Sequence, residues 1–238
     1  MKPIQIEAMG DSALRVEFGT SISKETNQKI RAFTWLLENN KLKGISECVP
    51  SYTAVTLHYD PARIAYSSLK DYVTYWCEKA GETDIPPAKV YEIPVCYGGE
   101  FGPDLEKVAE HNGVKREEVI ELHTENEYLI YMLGFTPGFP YLGGMNDKLA
   151  TPRLATPRSL VKAGSVGIAG TQTGVYSLDS PGGWNIIGRT PVQLFNTDKN
   201  SPVLLEAGNY IQFDPITETQ YEIISNQIKE GTYEVELK

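Results

Sequence analysis

The sequence predicts an α+β protein of two domains. Three observations carry that expectation. Up to Ala80 the apolar positions switch between a period of two and a helical period, in the order β-α-β-β-α. Gly81–Lys89 (GETDIPPAK) is polar and holds two prolines, the composition of a linker. From Tyr128 onward short apolar runs are divided by Gly and Pro, as in a barrel or sandwich.

Leu14, Val16 and Phe18 alternate with Arg15 and Glu17, which marks a half-buried strand. Ser21–Asn39 follows as a helix, with Ile30, Phe33 and Leu37 at helical spacing and Ser23 as its N-cap. Ile45–Val49 is a short strand ended by Pro50-Ser51. Val55, Leu57 and Tyr59 alternate with Thr56 and His58 in another strand, closed by Asp60-Pro61. Leu69, Tyr72, Val73, Trp76 and Ala80 make a second amphipathic helix, stopped at Gly81. A strand near Val90–Val95 would complete a ferredoxin-like split βαβ unit. Beyond the linker, Pro103–His111 and Lys115–Leu122 read as short helices separated by Asn112-Gly113. Strands are then expected at Tyr128–Leu133, Ser165–Ala169, Gly174–Ser177, Asn185–Ile187, Val203–Glu206, Tyr210–Phe213, Glu222–Ile224 and Tyr233–Leu237. The domains expected are 1–85 and 90–238.

Composition removes several classes of function. The 238 residues carry 22 Lys+Arg against 31 Asp+Glu, a net charge of −9. A pI near 5.0 argues against a nucleic-acid or anionic membrane partner. A mean hydropathy of −0.30, with no apolar run near the length of a span, argues against a membrane segment. The start, MKPIQIEAMGDSAL, lacks a basic head and apolar stretch, so no secretory signal is expected. Cys48, Cys77 and Cys96 form no CxxC pair and sit among apolar residues, which fits buried filler in a cytoplasmic protein. His58, His111 and His123 have no metal-ligand spacing, so no metal is expected.

Nucleotide signatures of the P-loop and GxGxxG kinds are missing. Ala163–Gly167 (AGSVG) nearly mimics a nucleophile elbow, but Ala replaces its first Gly and a tight turn is the simpler reading. The unusual stretch is Leu133–Pro191, which concentrates Gly, Pro, aromatics and Arg. Arg153, Arg158 and Arg189 each adjoin a proline-stiffened turn. Converged, they would clamp a carboxylate or phosphate; separately, each would tie a loop to an acid such as Asp147, Asp179 or Glu206. His123, ending a helix, is either a general base oriented by Glu125 or Glu127, or a partner of the helix dipole. Lys162 and Asp179 supply one amine and one acid in the same region. Trp184 and Tyr176 either stack on a planar ligand or close the barrel end.

GFTPGFPYLGG, PRLATPR, AGSVGIAGTQTGVY and SPGGWNIIGRTP closely resemble the family variously called the B subunit of 5-oxoprolinase, KipI (a sporulation kinase inhibitor) and allophanate hydrolase subunit 1. GDSALRVEFG, VPSYTAV and PVCYGGEFGPDL extend the resemblance over essentially the whole chain. It implies a small ferredoxin-like α/β domain followed by a cyclophilin-like β-barrel, a unit also similar to one half of the carboxyltransferase portion of urea amidolyase. It further implies a component that is inactive alone and works with two others, the A subunit and the homologous C subunit of the 5-oxoprolinase complex. Together they would convert 5-oxo-L-proline to L-glutamate with ATP hydrolysis, the ATP and Mg acting in the complex and no cofactor held tightly by this chain. Carried over by motif, the catalytic candidates are His123, Arg153, Arg158 and Arg189. The substrate-binding candidates are Phe135, Pro137, Gly138, Gln172, Tyr176, Pro181, Gly182, Gly183, Trp184 and Thr190. The roles expected are anion binding by the arginines, backbone N–H donation by Gly182-Gly183 and proton transfer by His123. Asn209 departs from the family pattern, which commonly has an acid there; a turn-forming role is expected instead. The alternatives within the family are an allophanate- or urea-metabolising hydrolase component and a protein that blocks a sensor histidine kinase. The second would dock through an exposed patch of Phe135, Phe139 and Tyr141. The barrel's likeness to prolyl isomerases carries no activity with it.

Overall fold

A computed structural model describes residues 4–238. Internal contacts divide the chain into two compact units, Met1–Pro87 and Ala88–Lys238.

The first unit runs β1 (Gln5–Met9), β2 (Ala13–Glu17), α1 (Lys24–Asn39), β3 (Ile45–Pro50), β4 (Ala54–Tyr59) and α2 (Tyr66–Ala80). Its sheet has the order β1-β2-β4-β3, antiparallel throughout. The alternation in β2 and β4 turns Leu14, Val16, Val55 and Leu57 inward, all fully buried. Ile30, Phe33, Leu69 and Val73 from the two helices close over them. Ser23 caps α1 as its sequence indicates, its hydroxyl accepting from the Thr26 N–H at 3.1 Å. The outer place beside β2 is taken by β1, a strand the periodicity did not indicate, and not by Val90–Val95. Those residues lie in β5 (Val90–Tyr97) of the second unit. Their run is buried on both faces, with Tyr91, Ile93, Val95 and Cys96 all inside, so it belongs in a sheet covered on two sides.

The second unit continues with α3 (Leu105–Asn112), α4 (Arg116–Thr124), β6 (Glu127–Leu133), β7 (Pro140–Gly143), β8 (Arg158–Val161), β9 (Ser165–Ala169), β10 (Gln172–Val175), β11 (Ser180–Gly182), β12 (Asn185–Arg189), β13 (Tyr210–Ile216) and α5 (Glu218–Glu230). Seven strands form one sheet in the order β10-β9-β12-β5-β13-β6-β7, and β10 also lies against β7, so the sheet nearly closes into a barrel. The pair β5–β13 is parallel and its other pairs are antiparallel. Ile93, Tyr128, Ile130, Val166, Ile168 and Phe213 fill the interior. β8 and β11 make a separate two-stranded ribbon at one end. Gly113 ends α3 in the left-handed conformation, at φ 67°.

Three expected strands take other forms. Glu222–Ile224 lies inside α5, because Thr217 and Gln220 form a capping box and Gly231 stops the helix at φ 72°. These local signals override the β-branched pair. Tyr233–Leu237 runs beside β5 without becoming a strand, joined by a Tyr91–Leu237 bridge and by the Glu92 N–H donating to Glu236 at 3.0 Å. Val203–Glu206 keeps one bridge, Val203 to Phe195.

Candidate functional site

Four elements bring an aromatic cluster to one end of the barrel. Phe139 precedes β7, Tyr176 follows β10, Trp184 precedes β12 and Val161 ends β8. Phe139 makes edge-on contacts with Tyr176 and Trp184, each at 5.8 Å between ring centres, and with Tyr141 at 5.5 Å. Two glycines make room for the rings. A Cβ at Gly174 would sit 3.2 Å from the Trp184 ring, and one at Gly182 would sit 2.2 Å from the Tyr176 hydroxyl. Burial pushes the Tyr176 hydroxyl above the usual range, offset in part by its bond to the Trp184 backbone and by the charges of Arg153 and Arg158. Tyr176 and Trp184 therefore close the barrel end.

Around this cluster stand Arg158 and Arg153. Arg158 opens β8 and is held by Asp104, whose Oδ1 receives its Nη2 at 2.8 Å, while Asp104 Oδ2 accepts the Ile186 N–H. The Asp104 side chain is only 9% exposed, so this pair is largely shielded from water. The acids expected to tie the arginines were Asp147, Asp179 and Glu206; the partner found is Asp104, which lies in the FGPDL segment. Arg153 is exposed, and among the described residues it makes no hydrogen bond or ion pair. Its segment is pinned by the Leu154 N–H donating to the Gly183 carbonyl at 2.7 Å. Gly182 pairs with Arg158 across the ribbon, and exposed Pro181 lies beside it. Neither Gly182 nor Gly183 has a positive φ, so the alternating backbone of an anion nest is absent at this pair. Gln172 begins β10 and is half-buried and partnered.

Arg189 stands elsewhere. It ends β12, about 13 Å along the strand from the end that meets Arg158. Its charge reaches Asp179 and Tyr221 rather than Tyr176. Its Nε is buried without a partner. The three arginines therefore do not converge. Lys162 is taken by Asp179 at 2.9 Å, and Asp179 also accepts the Ala163 N–H at 2.8 Å, so this pair clips the turn before β9. The turn bond from Ala163 is the largest single cause lowering the Asp179 carboxyl, and Lys162 and Arg189 lower it further. Ser165, next in that turn, is 1% exposed on a strand-to-strand connection, which is no nucleophile elbow.

Thr190 follows Arg189 and is buried, its hydroxyl accepting the Val192 N–H at 3.1 Å. It lines a cavity of about 590 Å³ with Gly164, Ser177, Gln193, Phe195 and Tyr221. Gly138 abuts the same wall, since a Cβ there would lie 3.0 Å from the Leu194 carbonyl and 3.3 Å from Phe195. The loop carrying Phe135, Pro137 and Gly138 is tied to Ser177 through the Thr136 hydroxyl at 3.1 Å. Phe135 has φ 65°, the left-handed conformation otherwise confined to glycine among the described residues, and is 69% exposed. Of the aromatic patch expected with it, Phe139 is buried and Tyr141 half-buried, so Phe135 alone is open to solvent.

His123 joins neither group. It is fully buried in α4 and stacks on Phe213 at 4.6 Å. Its Nε2 meets Thr173 Oγ1 and its Nδ1 meets the Tyr97 hydroxyl, each at 2.8 Å. The Thr173 hydroxyl donates onward to Gly167, so it accepts from Nε2–H, and Tyr97 donates to Nδ1. Burial holds His123 neutral, with its pKa lowered to about 3. The orienting partners are thus Tyr97 and Thr173, not Glu125 or Glu127, and neither ring nitrogen faces solvent. Asn209 is structural: its Oδ1 accepts the Lys89 N–H at 3.1 Å and its amide donates to Glu206. Asp104, Tyr97, Thr173, Ser177 and Tyr221 were missed by sequence reasoning. Asp104 alone carried a signal, as the acid after Pro103 at a helix start.

A family model described as carboxyltransferase domain, subdomain C and D, matches residues 4–205. The B subunit of 5-oxoprolinase from Bacillus subtilis is 46% identical over 91% of this chain and 95% of its own length. The protein of the same name from Escherichia coli O157:H7 is 40% identical over 87% of this chain and 94% of its own. The crystal structure of TTHA0988 matches with a TM-score of 0.75 at 36% identity, over 86% of this chain. This chain spans 40% of that one. The K. lactis urea amidolyase structure matches 99% of this chain and 16% of its own, with a TM-score of 0.72 at 18% identity, a likeness of fold. Among the described residues no helix is long and apolar enough to cross a membrane.

Proposed function

The chain belongs to the carboxyltransferase subdomain C and D family, and from that premise we propose that it is the B subunit of a 5-oxoprolinase. The observation that carries this reading is the 46% identity to the B. subtilis protein, which covers nearly the whole of both chains. In this reading the chain acts with the A subunit and the homologous C subunit to open 5-oxo-L-proline to L-glutamate, driven by ATP. A lactam is a stable amide, so activation of its oxygen precedes attack, and fixed positive charge near that oxygen lowers the barrier. Arg153, Arg158 and Arg189 are the arginines that this reading carries over for anion binding. Among the described residues no three His, Cys, Asp or Glu side chains gather as a metal site. The nucleotide and its Mg act in the complex in this reading.

The same reading takes residues 1–85 as a ferredoxin-like domain with β1 in its fourth strand position. It takes 90–238 as a cyclophilin-like barrel. What supports the first is the order β1-β2-β4-β3, with α1 between β2 and β3 and α2 after β4; what supports the second is the nearly closed sheet. Reconstitution with the A and C subunits tests the function. ATP turnover that depends on 5-oxo-L-proline, absent when this chain is omitted, is expected; turnover that needs only the other two components, or responds to urea or allophanate instead, rejects the reading.

A further inference from the structure

We propose that the cavity of about 590 Å³ beside Thr190 binds the substrate as a small carboxylate with a neutral amide body, Arg189 holding the carboxylate and the Ser177 and Tyr221 hydroxyls meeting the amide. This deepens the 5-oxoprolinase reading and rests on it for the identity of the ligand. Three observations carry the site.

The first is Arg189 itself. A guanidinium has five donors and cannot lose its charge, so leaving it without an acceptor is costly. Among the described residues Arg189 makes no hydrogen bond or ion pair, and its Nε is buried as well as unpartnered. Asp179, an acid that feels its charge, is already committed to Lys162 and the Ala163 N–H. Arg189 is thus a half-buried cation with no acid committed to it.

The second is the cavity's position and chemistry. Arg189 stands just behind the lining: Gly164 lines the cavity, and the Arg189 side chain passes 3.4 Å from the place a Gly164 Cβ would occupy. Tyr221, also in the lining, feels the charge of Arg189. The remaining walls are amides, hydroxyls and short apolar surfaces, with the exposed Asp198 the one acid. A volume in this range suits a small molecule, and a lining of neutral hydrogen-bonding groups suits an uncharged amide rather than a second anion. The third is the loop 134–138, which turns on the strained Phe135 and is fixed to this wall through Thr136–Ser177 and Gly138–Leu194. Strain of this kind persists where surrounding structure enforces it, and here it is enforced at the edge of the cavity.

The site separates binding from the Arg153–Arg158 group, which stands at the other end of β12. Titration of the full chain, 15N-labelled, with 5-oxo-L-proline and with the carboxylate-free 2-pyrrolidinone tests it. Amide shifts are expected for Gly164, Ser165, Ser177, Thr190 and Tyr221 with 5-oxo-L-proline only. Arg189→Gln should weaken the binding at least about tenfold. Tyr221→Phe should weaken it less, with Lys107→Gln, an exposed position on α3, leaving it unchanged. Shifts centred on Arg153, Arg158 and Gly183, equal shifts with 2-pyrrolidinone, or no shifts at tens of millimolar would each overturn the proposal. Shifts in the cavity together with a reconstituted complex inactive on 5-oxo-L-proline would retain the site and reject the functional reading instead.

Discussion

Gly182 shows how one missing atom shapes this barrel end. The Tyr176 hydroxyl occupies the space a Cβ would fill, so Gly182→Ala must displace a ring locked among Phe139 and Trp184. A loss of about 1–3 kcal/mol in unfolding free energy is expected. Truncating Tyr176 to Val in the same chain should recover part of it, and strict additivity of the two substitutions in urea denaturation would refute the contact. His123 makes a second residue-scale prediction. Its folded pKa of about 3 lies below the unfolded value of 6.5, so the unfolded chain binds more protons between these limits. Stability from this group is present above pH 6.5 and is lost as pH falls toward 3, with a slope of up to ~1.4 kcal/mol per pH unit. The stability gap between wild type and His123→Gln should therefore shrink between pH 7 and pH 4; a gap that stays constant contradicts the buried neutral histidine. The residue types of the site were legible in the sequence, because Arg beside Pro and Gly beside aromatics are local features. Their partners were not. Arg158 to Asp104 spans 54 residues and His123 to Thr173 spans 50, distances along the chain that no spacing rule reaches.

At the scale of elements, period and caps decided most outcomes. Ser23, the apolar spacing of α1 and the alternation of β2 and β4 all formed as their sequences indicate. α5 is the instructive case. It has no buried residue, so its packing supplies little and its ends matter more. Thr217→Ala removes the hydroxyl half of the capping box, which accepts the Gln220 N–H, and should destabilise the unit by about 1 kcal/mol, with faster amide exchange in the first turn of α5. Unchanged exchange there would show that the helix does not depend on its cap. β1 and β5 mark the limit of local reading. Both are competent strands, and which sheet each joins depends on whether one face or two must be covered.

The described residues form two large hydrophobic cores, one around Phe33 and Leu57 and one around Ile93 and Phe213, besides the small cluster around Phe139 at the barrel end. A fragment 88–238 should accordingly fold alone, giving a cooperative thermal transition and dispersed amide spectra; a fragment that stays unfolded would show that the second core is insufficient. The net charge of −9 likewise hides an uneven distribution, with Arg153 and Arg189 both lacking acid partners in one acidic chain. Taken by itself, the sequence determined the mixed α/β class, most helices and strands, the resemblance to its family and the residue types of the candidate site. These follow from short-range periodicity, turn chemistry and motif, which act along the chain. Only the tertiary structure decided that the arginines part into two groups, that His123 is sealed among Tyr97, Thr173 and Phe213, and that Ser177, Thr190 and Tyr221 share a cavity. Those outcomes depend on strand order across the barrel, where residues far apart in sequence become neighbours through sheet register and side-chain volume.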